Sequence, residues 1–265
     1  MSDQRLAERW ASVRARGRSA LIPYITAGFP DAAATRAVLA GAAAAGADLV
    51  ELGVPWSDPV ADGPVIQTST HAALLAGASL ARVLGMLAET PCAVPVIMFS
   101  YLNPILAFGA RRFARAALEA GAAGILVTDL PVGADPGIEA ELRSAGLPLV
   151  RLVAPTSTPA RVRAIADASE GFVYLLARTG VTGVRTEVGE EIARRVAAVR
   201  AATSLPVAVG FGITAGDQAA RVAELADGVV VGSALVERMR TGGAEAALAW
   251  LGELRAALDG ARRAA

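Results

Sequence analysis

Short apolar runs alternate with alanine-rich stretches along the whole chain. The runs are almost continuously apolar, a pattern typical of parallel strands that are buried on both faces. We predict eight strands, at Ala20–Thr26, Ala47–Gly53, Val94–Ser100, Gly124–Leu130, Pro148–Ala154, Gly171–Ala177, Pro206–Gly212 and Gly228–Gly232. The stretches between them predict helices, among them Asp31–Ala45, Ala110–Ala120, Pro159–Ala168, Glu187–Ala201 and Ala215–Ala226.

Residues at the ends of these stretches support the helix assignments. Thr158 and Thr214 are candidate N-caps, since a threonine hydroxyl can accept a hydrogen bond from the free N–H groups of a first helical turn. Gly46, Gly121 and Gly146 follow three other stretches. Glycine readily takes the left-handed conformation that ends a helix, so these positions predict helix ends.

Eight strand–helix units define the predicted fold. Their number in a chain of 265 residues fits a (β/α)8 TIM barrel better than an open doubly wound sheet. Leu6, Trp10 and Val13 share one helical stripe and predict an extra N-terminal helix that packs on the barrel. The early arginines are also typical of a transit peptide, but acidic residues interrupt them. No change in composition marks a linker, so we expect one domain over residues 1–265.

The spacing between the predicted strands is uneven. The stretch after the second strand, Val54–Ala93, is much longer than the others, and the stretch after the sixth strand, Arg178–Leu205, is slightly long. Both extended loops leave the carboxyl ends of strands, where barrel enzymes have their active sites. We therefore expect these two loops to carry function.

Composition excludes several kinds of chemistry. All 25 basic residues are arginine and balance 25 acidic ones, which indicates no nucleic-acid partner. Without lysine, Schiff-base, pyridoxal-phosphate and Walker-type chemistry is excluded. The chain has one histidine, His71, and one cysteine, Cys92, which cannot build a typical zinc site. We interpret His71 as a surface residue and Cys92 as a packing residue. No apolar run is long enough to span a membrane, so we expect a cytoplasmic protein.

The densest group of candidate catalytic residues is the segment ELGVPWSDPVADGP, at 51–64. Glu51 lies within an apolar strand, where burial raises the pKa of a carboxyl group and favours a general acid. The alternative is a structural glutamate that bonds a backbone amide or an arginine inside the barrel. Asp58 and Asp62 follow among prolines and fit either active-site carboxylates or turn and cap residues. Three such carboxylates could also hold magnesium.

Three glycine-rich turns end the last three predicted strands. They contain Gly183, Gly212 and Gly232, and Ser233 begins a helix directly after the third turn. Backbone amides at such ends form an anion-binding nest, and barrels often bind phosphate after strands seven and eight. Other candidates leave alternatives open. Tyr24, Tyr101 and Tyr174 fit a pocket or the core, and Asp129 fits a ligand contact or a loop cap.

At these motifs the chain resembles the α subunit of tryptophan synthase, from about Leu21 to Val236. The resemblance rests on ELGVPWSDPVADGPVIQ, SYLNPI, TDLP, YLLARTGVTG, VGFGI and DGVVVGSALV. It implies a (β/α)8 barrel that cleaves indole-3-glycerol phosphate to indole and glyceraldehyde 3-phosphate without a cofactor or metal. The implied partner is the β subunit, in an α2β2 heterotetramer. Trp56 and Tyr24 depart from the phenylalanines that are common in the family.

The resemblance also implies roles for individual residues. Glu51 matches the general acid/base that protonates indole C3, and Asp62 matches the carboxylate that accepts from the indole N–H. Substrate contacts are implied for Tyr24, Tyr101, Asp129, Tyr174 and Thr182. Phosphate contacts are implied for Gly183, Gly212, Gly232 and Ser233. The β-subunit interface is implied to include Pro55, Asp58 and Pro59.

The sequence alone leaves two other functions open. A stand-alone lyase that releases free indole would share every catalytic residue. A non-catalytic barrel that only activates a β-type partner would have little need for Glu51 and Asp62.

Overall fold

The computed structural model describes residues 2–177, 185–210 and 212–260, with no side chains described for 2, 3 and 185–188. In these ranges the strands are β1 (Ala20–Thr26), β2 (Val50–Gly53), β3 (Val96–Ser100), β4 (Ala122–Val127), β5 (Leu149–Val153), β6 (Val173–Leu176), β7 (Val207–Gly210) and β8 (Gly228–Val231). Each strand pairs in parallel with the next, and β8 pairs in parallel with β1. The predicted closed eight-stranded barrel is therefore confirmed.

Eleven helices surround the strands in the described part of the chain. They are α1 (Ser2–Ala15), α2 (Ala32–Gly41), α3 (Pro64–Leu75), α4 (Leu80–Glu89), α5 (Leu102–Phe108), α6 (Ala110–Glu119), α7 (Pro136–Arg143), α8 (Pro159–Asp167), α9 (Arg185–Arg200), α10 (Gly216–Leu225) and α11 (Ser233–Gly260). Helix α11 is interrupted at Gly243, where φ is 66°.

The core has two layers because side chains alternate between the two faces of each strand. The larger layer packs the outward side chains against the helices. The inner layer fills the barrel with residues such as Ile22, Leu49 and Phe172. Leu6 and Trp10 of α1 join the inner layer. The N-terminal helix is thus confirmed, and its apolar stripe closes the amino-terminal end of the barrel.

The long connection after β2 is also confirmed, and it holds a loop followed by α3 and α4. The connection after β6 includes residues 178–184, which lie outside the described residues. Thr158 caps α8 as predicted, by accepting from Arg161 N. Gly46, Gly121 and Gly146 have positive φ angles. Gly121 directly follows the C-cap of α6, as predicted, whereas α2 already ends at Gly41 and α7 at Arg143.

Two local predictions are wrong. Thr214 does not cap α10, because that helix begins after Ala215. Instead, the Thr214 amide and hydroxyl both donate to the side chain of Gln218, one turn ahead. Strand β4 covers Ala122–Val127, not Gly124–Leu130, so Asp129 lies in the loop after the strand. Within the described ranges, none of the helices could cross a membrane alone, and only α3 and α4, bent by 90°, could do so together by length and composition.

Candidate active site

Glu51 lies in the middle of β2, inside the barrel. Its register neighbours are Tyr24 on β1 and Ile97 on β3. The residue is 0% exposed, and neither carboxyl oxygen has a hydrogen-bond partner among the described residues. Burial raises the pKa of Glu51 to about 8, because the ionised form loses its hydration. The carboxyl group therefore keeps its proton at neutral pH, as a general acid must.

Asp62 lies in the loop between β2 and α3 and is held by Tyr101, the residue that follows β3. The Tyr101 hydroxyl donates to Asp62 Oδ2 at 3.0 Å and accepts from the backbone N of Ala61 at 2.9 Å. Partial burial raises the pKa of Asp62 to about 6, and the Tyr101 hydrogen bond opposes part of this rise. Asp62 is thus mainly ionised at neutral pH, whereas Glu51 is mainly protonated.

Two buried tyrosines complete the inner wall of the site. The Tyr24 hydroxyl occupies the space that a side chain on Gly53 would fill, and the Tyr174 hydroxyl does the same beside Gly210. Burial raises the pKa of both hydroxyls, and Asp62 and Glu51 raise these pKa values further when they are ionised. Both tyrosines therefore lie within electrostatic reach of the two carboxyl groups and remain neutral donors.

Gly53 was missed by the sequence reasoning, although it ends its predicted strand. The sequence reasoning placed Gly210 in the glycine-rich turn with Gly212 but did not predict its contact with Tyr174.

The glycine turns after β7 and β8 lie at the same end of the barrel as Glu51. Gly212 has a φ of 65°, which favours glycine. Gly232 lies between β8 and α11, and Ser233 is the first residue of α11. The first N–H groups of a helix have no intrahelical partner, so this terminus can bind an anion. Thr182 and Gly183 lie outside the described residues.

Asp129 is exposed in the loop after β4. Its Oδ1 accepts from the backbone N of Leu102 at 2.7 Å, at the first residue of α5. This contact fits the cap alternative, and it fixes the start of α5 directly after Tyr101.

The loop that is predicted to meet a β subunit, which includes residues 55–60, contains both buried and exposed residues. Pro55 is buried, so its side chain is not exposed for docking, and its place in the interface stays a prediction. Asp58 is exposed and Pro59 is partly exposed. Val60, which sequence reasoning did not single out, is 72% exposed. The side chains available for docking are therefore those at 58–60.

The described residues contain no group of three or more His, Cys, Asp or Glu side chains placed to hold a metal ion. Glu51, Asp62, the tyrosines and the α11 terminus instead define a class of protein. It is a (β/α)8 barrel with two carboxyl groups of different acidity and a helix N-terminus suited to an anion, all at the carboxyl ends of its strands.

Comparisons with known proteins give this class a family. Residues 10–257 match the family model described as tryptophan synthase alpha chain. The tryptophan synthase alpha chain of Geobacter sulfurreducens is 48% identical over 235 residues, which cover 88% of this chain and 89% of the relative. That of Acidiphilium cryptum is 44% identical and covers 98% and 99% of the two chains.

Solved structures agree. A chain of Mycobacterium tuberculosis tryptophan synthase, in an open form with BRD0059 bound, has a TM-score of 0.88 and 36% identity over 96% of this chain and 98% of that one. Tryptophan synthase subunit alpha from Legionella pneumophila has a TM-score of 0.87 and 35% identity, with the same coverage. The chain belongs to the tryptophan synthase alpha chain family. It is a lyase of the indole-3-glycerol phosphate cleaving type.

Proposed function

We propose that Glu51 and Asp62 carry the cleavage of indole-3-glycerol phosphate to indole and glyceraldehyde 3-phosphate. The observation that carries this assignment is the isolation of the Glu51 carboxyl group. It is fully buried, it lacks a hydrogen-bond partner among the described residues, and its pKa is about 8. A structural glutamate would be paired, since an unpaired buried carboxyl group is costly.

The proton balance of the reaction fits two carboxyl groups of different acidity. Glu51 gives its proton to indole C3, and the bond from C3 to the glycerol carbon breaks. The Glu51 carboxylate that this leaves accepts the proton of the glycerol hydroxyl on that carbon, which becomes the aldehyde, so no net proton is consumed. Asp62 accepts from the indole N–H and stabilises the positive charge that C3 protonation creates on the ring. The Tyr101 hydroxyl holds Asp62 by its Oδ2 and leaves the other oxygen for the substrate.

The phosphate end of the substrate is assigned to the turns after β7 and β8. Gly212, Gly232 and the first turn of α11 supply backbone N–H groups, and Ser233 adds a hydroxyl. These turns follow strands that are distinct from those carrying Glu51 and Tyr101. Binding of the phosphate and positioning of the indole are therefore separable by mutation. Thr182 and Gly183 keep their proposed substrate and phosphate roles.

We also propose that residues 58–60 meet a β subunit in an α2β2 heterotetramer. This loop joins the Glu51 strand to Asp62, and Tyr101 binds both Asp62 and the backbone of Ala61. A partner seated on exposed Asp58 and Val60 would press directly on the position of Asp62. We also propose that the chain forms one domain. Helices α1 and α11, near its two ends, both pack on the barrel, which supports this proposal. The stand-alone lyase remains the second candidate.

The test is indole release from indole-3-glycerol phosphate by Glu51→Gln, with and without a β subunit. The amide matches the carboxyl group in size but cannot deliver the proton, so we expect turnover to fall by ~10²–10⁴-fold or more. Glu253→Gln, at an exposed position on α11, is the matched control and should keep wild-type turnover. Retention of a third of wild-type turnover by Glu51→Gln would remove this residue from the mechanism.

A further inference from the structure

A buried arginine on β5 takes no part in the site described above. Arg151 is only 3% exposed, although its strand neighbours are apolar. Its Nη2 atom lies 2.5 Å from Glu139 Oε2 on α7, and its Nη1 atom donates to the carbonyl oxygen of Leu130 at 3.2 Å. Glu139 is itself 7% exposed. The pair is therefore a buried ion pair between the barrel wall and a surrounding helix.

The pair holds the loop between β4 and α7 from both sides. Arg151 binds the loop at the Leu130 carbonyl, and Glu139 Oε1 accepts from the backbone N of Gly133 at 2.8 Å. The guanidinium group can make both of its bonds at once because its N–H groups form a rigid fork. We call Arg151 and Glu139 the loop clamp.

The clamped loop leads to the candidate catalytic residues in two steps. Asp129, directly before Leu130, accepts from the backbone N of Leu102 at the start of α5. Tyr101, directly before Leu102, donates its hydroxyl to Asp62. A shift of the loop at Leu130 would therefore move Asp129, then the start of α5, and with it the hydroxyl that holds Asp62.

Stability alone does not account for the clamp. Replacing a buried ion pair by apolar residues of similar size is often neutral or stabilising, because two charges no longer need to be desolvated. The Nε atom of Arg151 has no hydrogen-bond partner among the described residues, which adds a further cost. What the pair supplies is directional contact with the backbone at two points of one loop.

We propose that Arg151 and Glu139 are positioning residues for the lyase reaction, which act by fixing the β4–α7 loop and, through Asp129 and Tyr101, the place of Asp62. This inference rests on the proposed role of Asp62. It predicts a loss that falls on turnover and spares substrate binding, since the phosphate turns follow β7 and β8.

The experiment compares Arg151→Met with the double variant Arg151→Met/Glu139→Met. The double variant leaves no unpaired buried charge, so it should fold with a thermal midpoint at or above that of the wild type. Misplacing catalytic groups by about 1 Å costs up to ~10²-fold in rate. We therefore expect kcat to fall about tenfold or more in both variants, with KM changed less than about threefold. The two losses should be similar, because the residues act as one unit.

The pH profile gives a second readout. If Tyr101 moves away, Asp62 loses the hydrogen bond that lowers its pKa, and the acidic limb of kcat/KM should shift to higher pH. The matched control is Arg255→Met, which breaks a buried Arg–Asp pair with Asp48 at the opposite end of the barrel. It should lower the thermal midpoint without a change in kcat or in the acidic limb.

Measured beside Glu51→Gln, the outcomes separate the two proposals. If Glu51→Gln is inactive but the folded double variant keeps kcat within twofold and an unshifted acidic limb, the loop clamp is only structural and the inference is wrong. If Glu51→Gln stays active, the proposed function fails whatever the clamp variants do.

Discussion

The raised pKa of Glu51 predicts how the free energy of unfolding changes with pH, which can be tested without any activity assay. The pKa of this residue is 4.5 in an ordinary exposed setting and about 8 in the folded barrel. Between these two values the native state keeps a proton that the unfolded chain has released. The unfolded state then binds fewer protons, so the free energy of unfolding falls as pH rises. The contribution is fully present below pH 4.5 and is lost as pH rises to about 8.

The size of the effect follows from these two pKa values. At about 1.36 kcal/mol for each tenfold change in proton affinity, this group alone should lower the free energy of unfolding by about 4 kcal/mol between pH 5 and pH 8.5. Glu51→Gln carries no ionisable group at this position and lacks that dependence. The difference in stability between variant and wild type should therefore grow by about 3–4 kcal/mol in favour of the variant over this range.

Urea denaturation of both proteins at pH 5, 7 and 8.5 measures this difference. The cost of burying an amide without partners is the same at every pH, so it cancels from the change with pH. All other titrating groups, including Asp62, are present in both proteins and cancel as well. A difference that stays constant from pH 5 to pH 8.5 would show that Glu51 titrates like an ordinary glutamate, and the argument for a neutral general acid would be lost.

Four further outcomes are expected. Asp62→Asn should lose most turnover while substrate binding, measured by titration of a non-cleavable glycerol phosphate analogue, changes little, and the reverse pattern would contradict its role. Tyr101→Phe removes the hydrogen bond that lowers the Asp62 pKa, so the acidic limb of its kcat/KM profile should move above pH 6, and an unmoved limb would refute the contact. Gly212→Ala should weaken phosphate binding because L residues disfavour φ near +65° by roughly 1–2 kcal/mol. Gly232→Ala should bind phosphate almost normally, since its added Cβ would meet Tyr24 at an ordinary contact distance of 3.6 Å. Asp58→Ala should reduce activation by a β subunit and leave the rate of the isolated chain unchanged, and a lone chain that no β subunit accelerates would favour the stand-alone lyase.

The barrel was predictable because its strands are almost continuously apolar runs, and the position of β1 was predicted to the residue. Elements without such a pattern were missed. Helix α5 has proline at its third position, and α7 begins with proline and glycine after an Asp135 cap, so both resemble turns in sequence. Tertiary packing, not local preference, decides such short helices.

The candidate site was predictable only in part, for a related reason. Glu51 stands out because a carboxyl group interrupts an apolar strand. The bond between Tyr101 and Asp62 joins residues 39 apart, and the Arg151–Glu139 pair joins a strand to a helix that was not predicted. Neither contact leaves a local pattern, because each depends on how the loops at the carboxyl ends of the strands meet.

Asp48 shows why burial alone could not have identified Glu51 as the candidate catalytic residue. It lies three residues before Glu51 and is 1% exposed, so the two are almost equally buried. Asp48 nevertheless accepts from the backbone N of Leu21 and pairs with Arg18 and Arg255, whereas Glu51 has no such partner among the described residues. The ion pairs of Asp48 tie elements of the fold together, whereas the unpaired Glu51 keeps its proton at neutral pH. Asp48→Asn should therefore lower the free energy of unfolding and leave turnover per folded molecule intact. At alkaline pH, Glu51→Gln should instead raise the free energy of unfolding and lose turnover.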